Sequence, residues 1–309
     1  MENTTWLTMS DGQEIFVREW VKNEGEPIAI LQLAHGMAEH IERYELFGQF
    51  LLEHGIFLIG NDHRGHGQTG ERMNAIGFFA EENGFERVTE DLKEVNEYIH
   101  KKYPNIPIYL MGHSMGSFLV RRFVQRFQSG VDGVILSGTG GNPGISGKLA
   151  KILAKSQMKK RGKKAESHLL SKLVFGSNNK KVKGAKTEYD WLTRDEAEVG
   201  KYCNDPYCGF VGTSTFFYDL MHGLELIHKD SEVKKGNKDL PFYVFSGEHD
   251  PIGHDTKGVM QVVNQLKANG IKDVTYTFYP EGRHEMLNEL NKDEVMEDIY
   301  RWLSEKIIK

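Results

Sequence analysis

The sequence predicts an α/β fold: a mainly parallel central sheet flanked by helices, with a helical cap inserted after about residue 140. Three observations predict it. Short apolar runs of strand type alternate with helix-length patterns through the first 140 or so residues, the arrangement expected of a parallel sheet covered by helices. A pentapeptide, Gly112-His-Ser-Met-Gly116, joins one such run to the helix pattern after it. The alternation then breaks at a glycine-rich stretch, 138–147, and gives way to a strongly basic segment. A chain of 309 residues is long enough for one large domain, or for a domain carrying an insertion.

In chain order, Ser10-Asp11-Gly12 reads as a hairpin turn between two N-terminal strands. Ile28–Leu33 is a strand, Arg43–His54 a helix and Phe57–Asn61 a strand. Gly84–Lys102 is a helix and Ile108–Met111 a strand, and Ser117–Gln128 is helix-like. Val134–Ser137 is a further strand. Residues 141–212 read as a cap, between a first core segment, 1–140, and a second, 213–309. The second core segment holds strand-type runs at Leu240–Phe245 and Val274–Tyr279, then a C-terminal helix from about Asp293 to Ile307.

The pentapeptide carries the chemistry. A Gly-x-Ser-x-Gly turn between strand and helix puts its serine, here Ser114, on a strained bend with the hydroxyl exposed. Serine is a weak nucleophile and needs a base and an acid supplied from elsewhere. The acid candidate is Asp250, in Ser246-Gly-Glu-His-Asp-Pro251, just past a strand. The base candidate is His284, in the turn after the last strand; His113 and His249 are rivals, but each shares a turn with a triad member. His284-Glu-Met-Leu-Asn288 starts like a zinc-binding His-Glu-x-x-His, but Asn288 stands at the second histidine, so no metal is expected there. Two backbone N–H groups should form an oxyanion hole: that of Met115, and that of Met37 in the loop after an early strand, with Gly36 expected to permit the unusual backbone turn.

These residues together resemble the monoacylglycerol lipase/lysophospholipase family of serine α/β-hydrolases. The similarity rests on His35-Gly-Met-Ala-Glu-His40 with Arg43-Tyr44, on Asp62-His-Arg-Gly-His-Gly67, on the pentapeptide, on Ser246–Pro251 and on Gly282-Arg-His284. It implies the α/β-hydrolase fold, the triad Ser114, Asp250 and His284, and a helical cap over the site. It also implies that Glu39 and Arg43 lie near the acyl-pocket mouth, within reach of a polar headgroup. The expected activity is hydrolysis of single-chain lipid esters, or other small carboxylic esters, through an acyl-enzyme and without a metal or organic cofactor. A small-peptide aminopeptidase on the same scaffold is the nearest alternative; a non-catalytic ligand-binding protein is a more distant one. The aromatic cluster Phe210, Phe216, Phe217 and Tyr218 fits an acyl tunnel and fits ordinary core packing equally.

Charge is segregated. Residues 148–186 hold thirteen Lys/Arg and one acid, Glu166, so this segment carries +12 in a chain of net charge −5, leaving −17 on the rest. Lys148, Lys151, Lys155 and Lys159 recur at helical spacing. They fit contact with an anionic membrane surface, attraction of anionic substrates, or a solvated lid. The segment lacks interleaved aromatics and any recognition motif, so nucleic acid is not the expected partner. Cys203 and Cys208 are expected as reduced thiols. The first residues lack a basic stretch followed by an apolar one, and no apolar run reaches transmembrane length; a soluble, cytoplasmic protein is expected.

Overall fold

The computed structural model describes residues 2–307; Met1, Ile308 and Lys309, the outer limits of the two expected core segments, lie outside the described residues. The sheet has eight strands: β1 (Glu2–Thr8), β2 (Glu14–Trp20), β3 (Ala29–Ala34), β4 (Ile56–Asn61), β5 (Ile108–His113), β6 (Gly133–Ser137), β7 (Phe242–Gly247) and β8 (Val274–Tyr279). Their spatial order is β1-β2-β4-β3-β5-β6-β7-β8. The hairpin β1–β2 and the β2–β4 pair are antiparallel, and every other neighbour is parallel.

Helices α1 (Glu45–Glu53), α2 (Gly67–Arg72), α3 (Gly84–Lys102) and α4 (Met115–Arg126) alternate with the first strands. Between β6 and β7 run α5 (Gly144–Arg161), α6 (His168–Phe175), α7 (Glu196–Asn204), α8 (Ser214–Ile227) and the single turn α9 (Asp230–Val233). The chain then adds α10 (Lys257–Ala268) before β8 and α11 (Lys292–Ile307) after it. The strands read as unbroken apolar runs because both faces are covered. Tyr109 and Met111 of β5, Ile135 of β6 and Phe245 of β7 pack with α1 and α11 through Phe47, Ile299 and Trp302. The alternate residues Leu110, Val134, Leu136 and Val244 pack on the other face with Val88, Leu119, Leu220 and Val263.

Boundaries moved for local reasons. The helix expected over Arg43–His54 is a 3₁₀ turn, Ile41–Tyr44, followed by α1. The helix expected from Ser117 starts two residues earlier, at Met115, because Ser114 turns the chain straight from strand into helix. In the inserted stretch, Ser167 caps α6 by accepting from the Leu170 N–H, and Asp195 caps α7 by accepting from Ala197 and Glu198. Helix α5 lies along α8, burying Gly147, Ala150 and Ala154. No helix among the described residues is long and apolar enough to cross a membrane.

Candidate active site

The C-terminal ends of β5, β6, β7 and β8 bring the site together. Ser114 sits between β5 and α4 with φ +50° and ψ −118°, a conformation non-glycine residues rarely adopt. Its N–H donates to the Ser137 carbonyl at 2.9 Å, pinning the bend to β6. The flanking glycines are steric necessities. A Cβ on Gly116 would press into the Ala34 carbonyl of β3, and one on Gly112 into the Gly116 carbonyl. The Ser114 hydroxyl is half-buried and has no hydrogen-bond partner among the described residues.

Asp250 and His284 meet beside it. His284 Nδ1 donates to Asp250 Oδ1 at 2.9 Å; the same oxygen accepts from the Ile252 N–H at 2.8 Å, and Oδ2 from the Ser246 hydroxyl at 3.0 Å. Both side chains are buried. Burial disfavours the charged form of each, yet their mutual attraction outweighs it: Asp250 is held below the ordinary carboxylate value and His284 above the ordinary histidine value. With its proton on Nδ1, the neutral imidazole keeps Nε2 as the basic nitrogen. Gly138 lets the ring in; a Cβ there would lie 3.0 Å from His284 Cε1. The rival His113 lies against the His284 ring, centroids 4.7 Å apart, and its Nδ1 is 3.3 Å from the Ser137 hydroxyl. His249 is exposed.

Met115 is the first residue of α4, where a backbone N–H has no intrahelical acceptor. Neither its N–H nor that of Met37 has a protein acceptor among the described residues. The backbone of this loop corrects one expectation. The left-handed residue is Ala38, φ +54°, and Gly36 is required for space instead: a Cβ there would lie 2.6 Å from Glu39 Oε1 and 3.3 Å from Ser114 Cβ.

A buried ion network braces the loop. Glu39 Oε1 accepts from the Gly36 N–H at 2.5 Å and from the Tyr44 hydroxyl at 3.0 Å, and Oε2 pairs with Arg43 at 2.7 Å. Arg43 also grips Glu285 through two bonds of 2.7 Å and stacks over Tyr202, 4.8 Å from the ring centroid. Burial raises both carboxyls. For Glu285 the two-point Arg43 contact outweighs it and holds the pKa at about 2, whereas Glu39, with one Arg43 contact and Glu285 nearby, stays above the ordinary range. Glu39 and Arg43, expected near the acyl-pocket mouth within reach of a headgroup, are both engaged here within the protein: both Glu39 oxygens accept internal bonds and the residue is 3% exposed, and the guanidinium binds two carboxylates.

Phe217 is fully buried in the cluster that also holds Met115, Ala154 and Leu170, with Met37 packed against it. Phe210 is half-buried, with its ring edge-on to His66 at 5.0 Å. Asp62 is structural, its oxygens accepting from the Ile41 and Gln68 N–H groups at 2.9 and 2.7 Å. Sequence reasoning missed Glu285, Tyr202 and Trp191. Trp191 lies 5.0 Å from the His284 ring, and the Glu285 N–H donates to the Leu192 carbonyl at 2.7 Å. Glu285 alone carried a legible signal, as the carboxylate following the base candidate.

A strained serine elbow, a paired histidine and carboxylate, and two unengaged amides on this sheet define a serine α/β-hydrolase of the carboxylic-ester hydrolase type. The chain belongs to the serine aminopeptidase (S33) family of hydrolases, whose family model matches residues 25–291. It is similar to monoglyceride lipase of Rattus norvegicus, 28% identical over 97% of this chain and 90% of the relative. It is also similar to monoacylglycerol lipase of Mycolicibacterium smegmatis, 24% identical over 90% of this chain and 89% of the relative. Among solved structures, a thermostable carboxyl esterase from Bacillus coagulans in complex with glycerol superposes with a TM-score of 0.91 at 26% identity, covering 99% of both chains.

Proposed function

We propose that this protein hydrolyses single-chain lipid esters of the monoacylglycerol or lysophospholipid type through an acyl-enzyme on Ser114. The observation that carries the reading is the strained Ser114 elbow at the same end of the sheet as the His284–Asp250 pair. Ser114 Oγ attacks the ester carbonyl carbon while His284 Nε2 takes its proton. The Met37 and Met115 N–H groups hold the oxyanion. Collapse expels the alcohol, which His284 protonates. Water, deprotonated by His284, then attacks the acyl carbon; collapse breaks the bond to Ser114 Oγ, which takes the proton back from His284, and the fatty acid leaves. Asp250 holds the imidazole tautomer and stabilises the imidazolium. Glu39 and Arg43 act as positioning residues for the Met37 loop. The relatives named as monoglyceride lipases support the substrate class.

Residues 141–212 are proposed as a cap over this site, between core segments 1–140 and 213–309, with Phe210 and Phe217 toward the acyl chain. The cap's outer face is proposed to touch anionic membrane. Exposed Ile145, Leu149 and Ile152 on α5, and Leu169 and Leu173 on α6, support this. The free thiols Cys203 and Cys208 suit a cytoplasmic site of action. An aminopeptidase would need an unneutralised carboxylate for the substrate's amino group; Glu39 and Glu285 are both paired to Arg43.

The test is covalent labelling with a fluorophosphonate, alongside hydrolysis of a panel of monoacylglycerols, lysophospholipids and aminoacyl amides. Ser114→Ala should abolish labelling, lower turnover by about 10⁴-fold or more and leave Tm unchanged. Undiminished ester hydrolysis by that variant would overturn the mechanism, and preference for aminoacyl amides would overturn the substrate class.

A further inference from the structure

Residues 190–194 belong to the inserted stretch in sequence and to the histidine loop in space. Arg283 donates through Nη1 to the carbonyls of Asp190 and Thr193 at 2.6 and 2.9 Å. The Glu285 N–H donates to the Leu192 carbonyl at 2.7 Å, and the Thr193 hydroxyl to the Asn288 carbonyl at 2.8 Å. Arg194 donates its backbone N–H and its Nε to the two oxygens of Glu289, at 3.1 and 2.9 Å, and that carboxylate is fully buried. The residues on both sides of His284 thus hold the backbone on both sides of Trp191.

This strap fixes an indole against the imidazole. Trp191 is buried, and its ring centroid lies 5.0 Å from that of His284 with the planes tilted by 36°. Phe175 stacks on the indole at 6.1 Å, and Leu192 and Tyr202 pack in the same cluster. A cation within about 6 Å of an indole centroid is attracted by the ring quadrupole, most strongly where water is excluded. His284 is buried and carries a positive charge each time it takes a proton from the serine or from water. Asp250 is bonded to its Nδ1, and Glu285 and Glu39 attract that charge from further off, each paired to Arg43. His113 also rests against the ring, but burial holds its pKa down at about 3, so it adds no charge at neutral pH. The Arg283 guanidinium is committed to the strap carbonyls.

We propose that Trp191 is a positioning residue for the base: held by the strap, its indole keeps the His284 ring in place and stabilises the imidazolium. The inference rests on the reading of His284 as the base. An indole that merely buried the ring would act with the opposite sign, because burial disfavours the charged form. The direction of the shift on removing the indole therefore decides between the two.

The test is a carbon NMR titration of His284 Cε1 in the resting protein, its signal assigned by its loss in His284→Gln, together with the pH profile of kcat/KM on a soluble short-chain ester. Trp191→Leu removes the quadrupole and keeps an apolar side chain. It should lower the His284 pKa and the acid limb by about one pH unit and kcat by about tenfold, with KM little changed. Trp191→Phe, which keeps a weaker ring, should recover part of each loss. An unchanged His284 pKa in Trp191→Leu would overturn the proposal, and so would a raised one, which assigns the indole to burial alone. Equal losses in the two variants would overturn it as well. Should Trp191→Leu not fold, Trp191→Phe against the unaltered protein decides: a smaller fall in the His284 pKa supports the proposal, and an unchanged or raised value overturns it. The titration needs no turnover. A fall in pKa therefore supports the indole contact even if the Ser114 mechanism fails its own test, and no fall overturns the contact even if that mechanism stands.

Discussion

The floor of the site and the inserted helices over residues 144–204 are built on opposite terms. From Met111 to Val124 every residue is buried except Ser114, which is half-buried, and the glycines there are demanded by backbone atoms that leave no room for a Cβ. In the insertion, Ile145 is 77% exposed, Ile152 67% and Leu149 61%, and the buried contacts of α5 are made by Gly147, Ala150 and Ala154. In the first region shape dictates residue identity, since few residue types fit. In the second, composition follows from what the helices face, and many sequences would serve.

The sharpest way to break this comparison is to remove the cation at the centre of the rigid region. Arg43→Met leaves Glu39 and Glu285 buried and unpaired. Breaking a buried pair in this way costs about 3–5 kcal/mol, so unfolding in denaturant should show a lower midpoint by that measure. Turnover should also fall, because Glu39 would no longer hold the Gly36 N–H in its present place. A change below about 1 kcal/mol would mean the network is solvated and that the rigidity comes from apolar packing alone.

What the sequence made legible follows the same division. The alternation of strands and helices was readable because a sheet covered on both faces needs unbroken apolar runs in its strands. The Gly-x-Ser-x-Gly turn was readable because glycine is the only residue that fits between the bend and β3. The carboxylate and imidazole were readable from their places just past strand ends. The buried network was not: Glu39, Arg43 and Glu285 are ordinary charged residues until the fold brings position 285 onto position 43. Nor was the fate of the basic segment. Helical spacing puts Lys151 on a free lysine face, but its ammonium is held by Glu225 and His222 at 2.8 and 2.9 Å. Lys163 and Lys164 face Glu81, and Lys181 pairs with Asp255. Part of the charge segregation therefore ties the insertion to an acidic core, which no periodicity reveals.

A smaller effect, in protonation rather than stability, tests the electrostatics of the floor. Asp250 holds the His284 pKa above its ordinary value near 6.5. If neutral His284 is the base, activity is lost as pH falls through that raised value, so the acid limb of kcat/KM should lie above about 6.5. Asp250→Asn should move the limb down as well as lower turnover. The stability sign is opposite. A raised histidine pKa contributes stability below the unfolded value and loses it as pH rises through the folded one. An acid limb at or below about 6 in the unaltered protein would place the controlling proton elsewhere.

The smallest effect on folding belongs to the outer face of α5, and it bears most directly on what the insertion is for. Ile145, Leu149 and Ile152 recur at helical spacing and point away from α8. Lys148, Lys155 and Lys159 are exposed beside them and have no carboxylate partner among the described residues. Leu149→Ser with Ile152→Ser removes two exposed side chains, so stability should change by about 0.5 kcal/mol or less. Hydrolysis of a soluble short-chain ester should not change. Burying such a side chain in lipid is worth about 1.5–3 kcal/mol. The double variant should therefore co-sediment with phosphatidylserine vesicles at least about tenfold more weakly than the unaltered protein. Lys148→Gln, Lys155→Gln and Lys159→Gln together should weaken binding at low salt and little at high salt, since each lysine near an anionic surface contributes about 1 kcal/mol that salt screens. The two variants separate apolar from charge-driven docking on one helix. If the unaltered protein does not co-sediment even at low salt, the exposed leucine and isoleucines face solvent alone and the membrane contact proposed for this helix is overturned.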